Sequence, residues 1–450
     1  MKSKLFRTFT VLFLVFVMLF SLPVAAEETS QSDLTNPYRA VWVRPKETTK
    51  EAVEAKVQSI ADAGLNTIFL ETIYDGYSIY PIEHECVEQN AIYGGFDVLQ
   101  AYIDACHARN MQLHCWVESF FVGMEWSNNG GPIVAAHPDW LLQDDKGNNF
   151  ESTMYGKMYF LNPVRPECRD FLVDLFTNLV TEYEVDGFQM DYVRYPEIND
   201  TVDWGFDAYT LQAFEDARGM NPVGAAKDSN VYKAFLNFRS DAVTAYVKAC
   251  SESVRKARPG ITVSLSVAPN FDFGEQNHCQ SARKWMSSGY ADLLVPMSYY
   301  EDQIVDQTNA TLTAVGKDAS KVIMGISTQS GFTKESVCNQ VKAVLDQNCG
   351  ISFFEYESLF SEGYTEELKK DLLSTFIPLE KNKAPSETGS EAGSEKGSVD
   401  ASDLNEVPNP IGGWVTYAVI VAGVLLVVVL LVVFLKKKPA KKDETSENAE

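Results

Sequence analysis

Basic residues are scarce in this sequence. Lys and Arg number 38 against 62 Asp and Glu, a net charge of −24 over 450 residues. That balance argues against nucleic acid and against anionic lipid as partners, since both need a positive face. Histidine is scarcer still, at five, which disfavours His-based catalysis and a His-rich metal site. The eight cysteines show no Cys-x-x-Cys spacing, so a zinc cluster is not expected. No Gly-x-Ser-x-Gly elbow, His-Glu-x-x-His helix or Walker loop is present. Asp144-Asp145-Lys146-Gly147-Asn148 lacks the EF-hand spacing and its closing Glu, and reads as a solvated turn. Neither a cofactor nor a metal is therefore expected.

Long apolar runs occur twice. Leu12–Leu22 follows Lys2, Lys4 and Arg7 and precedes Val24-Ala25-Ala26. A basic start, a short apolar run and small residues at −3 and −1 predict a secretory signal over residues 1–26. Trp414–Leu435 carries no charge and is followed by Lys436, Lys437 and Lys438. About 22 residues make about 33 Å of helix, enough to cross the hydrocarbon core, and positive residues stay on the cytoplasmic side. The expected topology is a single-pass protein of the cell membrane, with an extracellular N-terminal domain and a cytoplasmic tail at 436–450. A Ser/Glu/Gly linker over 378–412 has the composition of a disordered spacer. Cys106, Cys115, Cys250 and Cys338 sit in periodic helix or strand patterns where a free thiol behaves as a small hydrophobe, so mostly free thiols are expected.

Between these segments, over residues 38–377, short β-branched or aromatic runs alternate eight times with longer amphipathic segments. The predicted strands are Ala40–Arg44, Thr67–Thr72, Gln112–Glu118, Gly187–Val193, Thr262–Ala268, Leu293–Tyr299, Val322–Thr328 and Ile351–Glu357. Each is nearly all apolar or β-branched, as strands buried on both faces should be. Helices are predicted between them, for example over Lys50–Ala63, Phe96–Arg109, Pro166–Tyr183, Val231–Ala257 and Glu335–Gln347. Eight β-α pairs point to an α/β fold, a (β/α)8 TIM barrel. A doubly wound sheet is the alternative, but no Gly-rich phosphate loop follows any strand.

A barrel of this kind builds its active site at the C-terminal strand ends. In the fourth strand, alternation sets Gln189 and Asp191 toward the axis and Phe188 and Met190 toward the helices. In the third, His114, Trp116 and Glu118 share a face. If that face looks inward, Glu118 ends beside Asp191, a spacing that suits two-carboxylate glycoside hydrolysis. Asp191 is the candidate nucleophile or stabilising carboxylate. Glu118 is the first candidate acid/base and Glu301, at the end of the sixth strand, the second. Arg44, Glu71, Tyr299 and Glu355 are candidate sugar contacts at other strand ends, with inward-facing His114, Trp116 and Gln189 below them. His114 also reads as a core histidine. Trp126 and Trp204, in the long loops after strands three and four, are candidate platforms for a pyranose ring.

The residues from Arg39 to about Leu359 resemble the glycosyl-hydrolase-like family 10 barrels of bacterial envelopes. The resemblance is carried by Arg39-Ala40-Val41-Trp42-Val43, Tyr80-Pro81, His114-Cys115-Trp116 and His137-Pro138-Asp139-Trp140-Leu141. It is strongest in Leu161-Asn162-Pro163-Val164-Arg165-Pro166-Glu167, Asp186-Gly187 and Asp191-Tyr192-Val193-Arg194-Tyr195-Pro196. It implies a glycoside hydrolase acting on cell-wall or other extracellular polysaccharide, with Asp191 as the strand-four carboxylate. Tyr192 stands where family members commonly carry a second Asp, and Glu118 where they commonly carry Asn. Pro296-Met297-Ser298 replaces a Pro-Gln before the strand-six Tyr. A non-catalytic glycan-binding barrel is the alternative reading.

Overall fold

The structure, a computed structural model, describes residues 38–329, 331–362 and 369–374. The predicted signal, linker, transmembrane helix and tail lie outside these residues. Among the described residues no helix is long and apolar enough to cross a membrane.

Eight parallel strands form the predicted barrel: β1 (Arg39–Val43), β2 (Thr67–Tyr74), β3 (Gln112–Glu118), β4 (Gly187–Asp191), β5 (Thr262–Val267), β6 (Leu293–Pro296), β7 (Ile323–Ser327) and β8 (Gly350–Phe354). Their hydrogen-bonded order is β6-β5-β4-β3-β2-β1-β8-β7. Single parallel bridges at Leu294–Val322 and Met297–Gly325 link β6 to β7 and nearly close the circle. The helices packed outside are α1 (Lys50–Asp62), α2 (Val98–His107), α3 (Pro166–Glu182), α4 (Asn230–Ala257), α5 (Ala282–Ser287), α6 (Ile304–Ala314) and α7 (Lys334–Leu345). Local chemistry starts most of them. Thr49, Asp97, Ser229 and Thr333 accept backbone N–H bonds at the N-termini of α1, α2, α4 and α7, and Pro166 opens α3.

Alternation divides the strands between two apolar regions. Phe188 and Met190 join the large core between sheet and helices, with Val41, Val117 and Leu265. The barrel interior is smaller and more aromatic: Ala40, Trp42, Phe69, Trp116, Leu293, Val295 and Ile323. Two glycines make room for its rings. A Cβ on Gly187 would lie 2.2 Å from the His114 ring, and one on Gly325 would lie 3.0 Å from the Trp42 ring.

The loop after β3 holds what periodicity did not disclose, a three-stranded antiparallel sheet of Phe121–Met124, Gly156–Phe160 and Glu151–Thr153. The loop after β4 carries a helix at Ala208–Arg218. All eight cysteines are free, and most are buried.

Candidate active site

Residue Glu118 pairs in register with Asp191 across β3 and β4, so two carboxylates leave adjacent strand ends side by side. Both are buried, as is Glu71 on β2. Arg44, the first residue beyond β1, reaches toward them. Its Nε lies 3.1 Å from a Glu71 oxygen and 3.7 Å from a Glu355 oxygen. The guanidinium also lies over the Trp116 and Phe354 rings, 5.4 and 5.9 Å from their centroids. Beside it opens a cavity of about 140 Å³, lined by Trp42, Arg44, Trp116, Asp191, Tyr192, Arg194, Met297, Tyr299 and Phe354.

Hydrogen bonds aim Asp191. The Trp116 indole donates to Oδ2 at 3.0 Å and the Tyr192 amide donates to Oδ1 at 2.6 Å. Below, the Trp42 indole donates to Gln189 Oε1 at 2.7 Å. Such ring-to-polar contacts fix tryptophans that would otherwise bury an unsatisfied N–H. Glu118 accepts the Asp75 amide at 3.1 Å.

The strand ends hold more acid than base. Burial and the neighbouring Glu71 and Asp75 push the Glu118 carboxyl well above its usual range, against the pull of Arg44. Burial pushes Glu71 up to about 7, with Arg44 opposing and Glu355 reinforcing. Burial also raises Asp191, and Arg194, the Tyr192 amide, the Trp116 indole and Arg44 offset that rise only in part. A carboxyl pushed well up by burial and neighbouring carboxylates therefore stands next to one whose rise is opposed by cations and N–H donors. That asymmetry is what acid-assisted cleavage of a glycosidic bond requires.

Other candidates are placed as follows. Arg44, Trp116 and Tyr299 line the cavity with Asp191, and Glu71 and Glu355 hold Arg44. Gln189 lies one layer below, on Trp42. His114 is deeper, fully buried against Phe69 and Tyr38 and bonded to Gln112. Burial lowers its pKa to about 4, so it is a neutral core residue rather than a sugar contact. Glu301 is exposed in a short 3-10 helix, where it accepts the Ser336 hydroxyl of α7. Trp204 corrects its assignment as a platform. It is 2% exposed, and its carbonyl accepts from Arg239, itself fully buried and paired with Asp203 at 2.6 Å. Trp126 is 66% exposed.

Several site residues were not singled out from the sequence. Trp42 could have been, since alternation sets it on the same face as Ala40 in β1. The places of Arg194 and Tyr192 on the cavity wall could not, although both residues stand in the strand-four block, because the chain leaves strand geometry at Tyr192, which adopts a left-handed φ of 50°. The Tyr192 ring packs on Phe121, in the sheet that the sequence did not disclose.

A nearly closed parallel barrel with paired carboxylates at its C-terminal strand ends defines the class, a glycoside hydrolase-like TIM barrel. The family profile described as Glycosyl hydrolase-like 10 matches residues 33–344, and the chain belongs to that family. It is 22% identical over 332 residues to "Glycosyl hydrolase YngK" of Bacillus subtilis (strain 168), covering 65% of this chain and 59% of that protein. It is 20% identical over 312 residues to "Glycosyl hydrolase DigH" of Escherichia coli (strain K12), covering 60% and 62%. The matched region thus spans about three fifths of the length of these relatives. Among solved structures the fold resembles the catalytic domain of a Paenibacillus polymyxa β-amylase, with a TM-score of 0.55 at 12% identity over 78% of this chain and 100% of that one. It equally resembles the PgaB (BpsB) glycoside hydrolase domain of Bordetella bronchiseptica, with a TM-score of 0.55 at 11% identity over 76% and 97%.

Proposed function

We propose that this protein hydrolyses glycosidic bonds in a cell-wall or other extracellular polysaccharide. The observation that carries this reading is the in-register pair of Glu118 and Asp191 at adjacent strand ends, with Asp191 lining the cavity. Asp191 faces the anomeric carbon, as nucleophile or as the carboxylate that stabilises an oxocarbenium-like transition state. Glu118, whose carboxyl its surroundings push well up, gives its proton to the leaving oxygen and then acts as base toward water. Arg44, held by Glu71 and Glu355, and Tyr299 hold sugar hydroxyls. Trp116 contributes its indole N–H to Asp191 and an apolar face to the cavity.

A second reading, glycan binding without cleavage, is favoured by one observation. Both oxygens of Asp191 already hold hydrogen bonds, and a Tyr192 ring lines the cavity beside them. Incubation of the full chain with a panel of wall glycans and extracellular polysaccharides separates the two. New reducing ends support the enzyme. Retention on the glycan without new ends supports the binder.

We further propose export directed by residues 1–26 and anchorage by 414–435, with the barrel outside the cell. The support is the basic start and small-residue cleavage site of the first segment, and the uncharged span and three following lysines of the second. Protease added to intact cells should remove the barrel and leave residues 436–450 protected.

A further inference from the structure

Two βα loops meet over α3, away from the carboxylates. The first lies between β2 and α2 and doubles back at His84–Val87, where the Val87 amide donates to the His84 carbonyl. Glu85 and Cys86 form the tip of that turn, and Cys86 takes a left-handed φ of 59°. The second loop follows β3 and presents His137 at the end of the short helix Gly131–Ala136. Phe171 of α3 receives both. His84 packs edge-on against it at 5.3 Å and bonds Asp174 at 3.2 Å. Trp140 packs edge-on against the same ring at 5.5 Å, and His137 stacks flat on Trp140 at 3.7 Å.

This packing brings three different donor atoms together. Cys86 Sγ lies 3.6 Å from His137 Nε2, and Glu85 Oε1 lies 3.7 Å from the same nitrogen. The three ligand atoms all fall within 4.8 Å of one another. Tetrahedral zinc with its usual bond lengths puts neighbouring ligand atoms about 3.3–3.6 Å apart. The spacing is therefore close to that of a preformed site, and the stacked Trp140 holds the imidazole in place. Among the described residues no other His, Cys, Asp and Glu cluster meets this geometry.

We propose that Glu85, Cys86 and His137 bind one divalent cation of the zinc class, clamping the β2–α2 loop to the loop after β3. A thiolate and an imidazole with a single carboxylate suit Zn²⁺ or Co²⁺ and not the all-oxygen preference of Ca²⁺ or Mg²⁺. Three protein ligands leave a fourth position for water. Glu85 is exposed at the rim, so the ion has an open path. Binding releases the thiol proton and grows tighter as pH rises. Sequence spacing did not disclose the site because its cysteine and histidine are 51 residues apart on separate loops.

The test is titration of the full chain, stripped with chelator, with Co²⁺. The expected result is one equivalent bound, with thiolate-to-cobalt charge transfer in the near ultraviolet and visible bands of tetrahedral intensity, displaced by Zn²⁺. Cys86→Ser should remove the charge-transfer band, and His137→Gln should weaken binding at least tenfold. Zn²⁺ should raise the melting temperature of the wild type and not of Cys86→Ser. Should His137→Gln loosen the loop, the half-buried Cys86→Ser remains the deciding variant, its fold checked by an unchanged melting temperature in chelator. Absence of the band in the wild type, or a band undiminished in Cys86→Ser, overturns the proposal and leaves a hydrogen-bonded Cys–His pair only.

Discussion

Glu71 and Glu118 are carboxyls whose pKa is pushed up because water is excluded and other carboxylates stand nearby. For Glu71 the consequence for stability has a definite sign. Its pKa is about 7 in the fold against 4.5 for an ordinary glutamate, so the folded state binds the proton more tightly. The associated stabilisation is complete below pH 4.5 and is lost as pH rises through 7. Unfolding free energy measured across that window should fall by on the order of 3 kcal/mol, and the melting temperature with it. Glu71→Gln should flatten the profile. An unchanged slope in that variant would mean that another group sets it. For Glu118 the consequence is catalytic. Glu118→Gln should lower turnover by about 10²–10⁴, and the alkaline limb of the wild-type pH–rate profile should report loss of its proton.

Elements decide where those residues stand, and two predictions belong here. Gly187 opens β4 and gives its missing side chain's space to His114. Gly187→Ala should cost at least about 1–3 kcal/mol by overpacking. Pairing it with His114→Ala should recover part of that loss, and purely additive effects would show that the ring is not the obstacle. The loops offer the second. Trp204 is a core residue of its loop and Trp126 an exposed one in the turn after the first strand of the added sheet. Trp204→Ala should destabilise by about 3–5 kcal/mol. Trp126→Ala should leave the melting temperature alone and weaken glycan binding by roughly twofold to tenfold, as loss of one stacking ring does. Unchanged affinity in Trp126→Ala would remove it from the glycan path. The strands were legible because buried parallel strands write continuous apolar runs, and Gln112–Glu118 matches its predicted bounds. The loops were not. Trp126 and Trp204 read alike in sequence, and only the Arg239–Asp203 pair and its packing bury one of them.

At the scale of the whole molecule, the alternation of eight runs specified a barrel because no other common fold repeats β-α so often in one core. The partnership of Glu118 with Asp191 followed from adjacency and strand period alone. The roles of Arg44 and Glu355 were legible only in outline. Their ion pair links the residues just beyond the ends of β1 and β8, the first and last strands of the barrel, which are hydrogen-bonded neighbours. Glu301 shows the limit of reading from strand ends. The chain leaves β6 at Pro296, and by residue 301 a 3-10 helix has carried the carboxylate to α7.

The central claim, that Asp191 is the carboxylate at the reacting carbon, rests on one variant. Asp191→Asn keeps the size of the side chain and its contact with Trp116, so the barrel should fold with a melting temperature close to wild type. Release of reducing ends from the glycan that the wild type cleaves, measured under single-turnover conditions, should fall by several orders of magnitude. Binding of that glycan should remain. Full activity in Asp191→Asn would contradict the account.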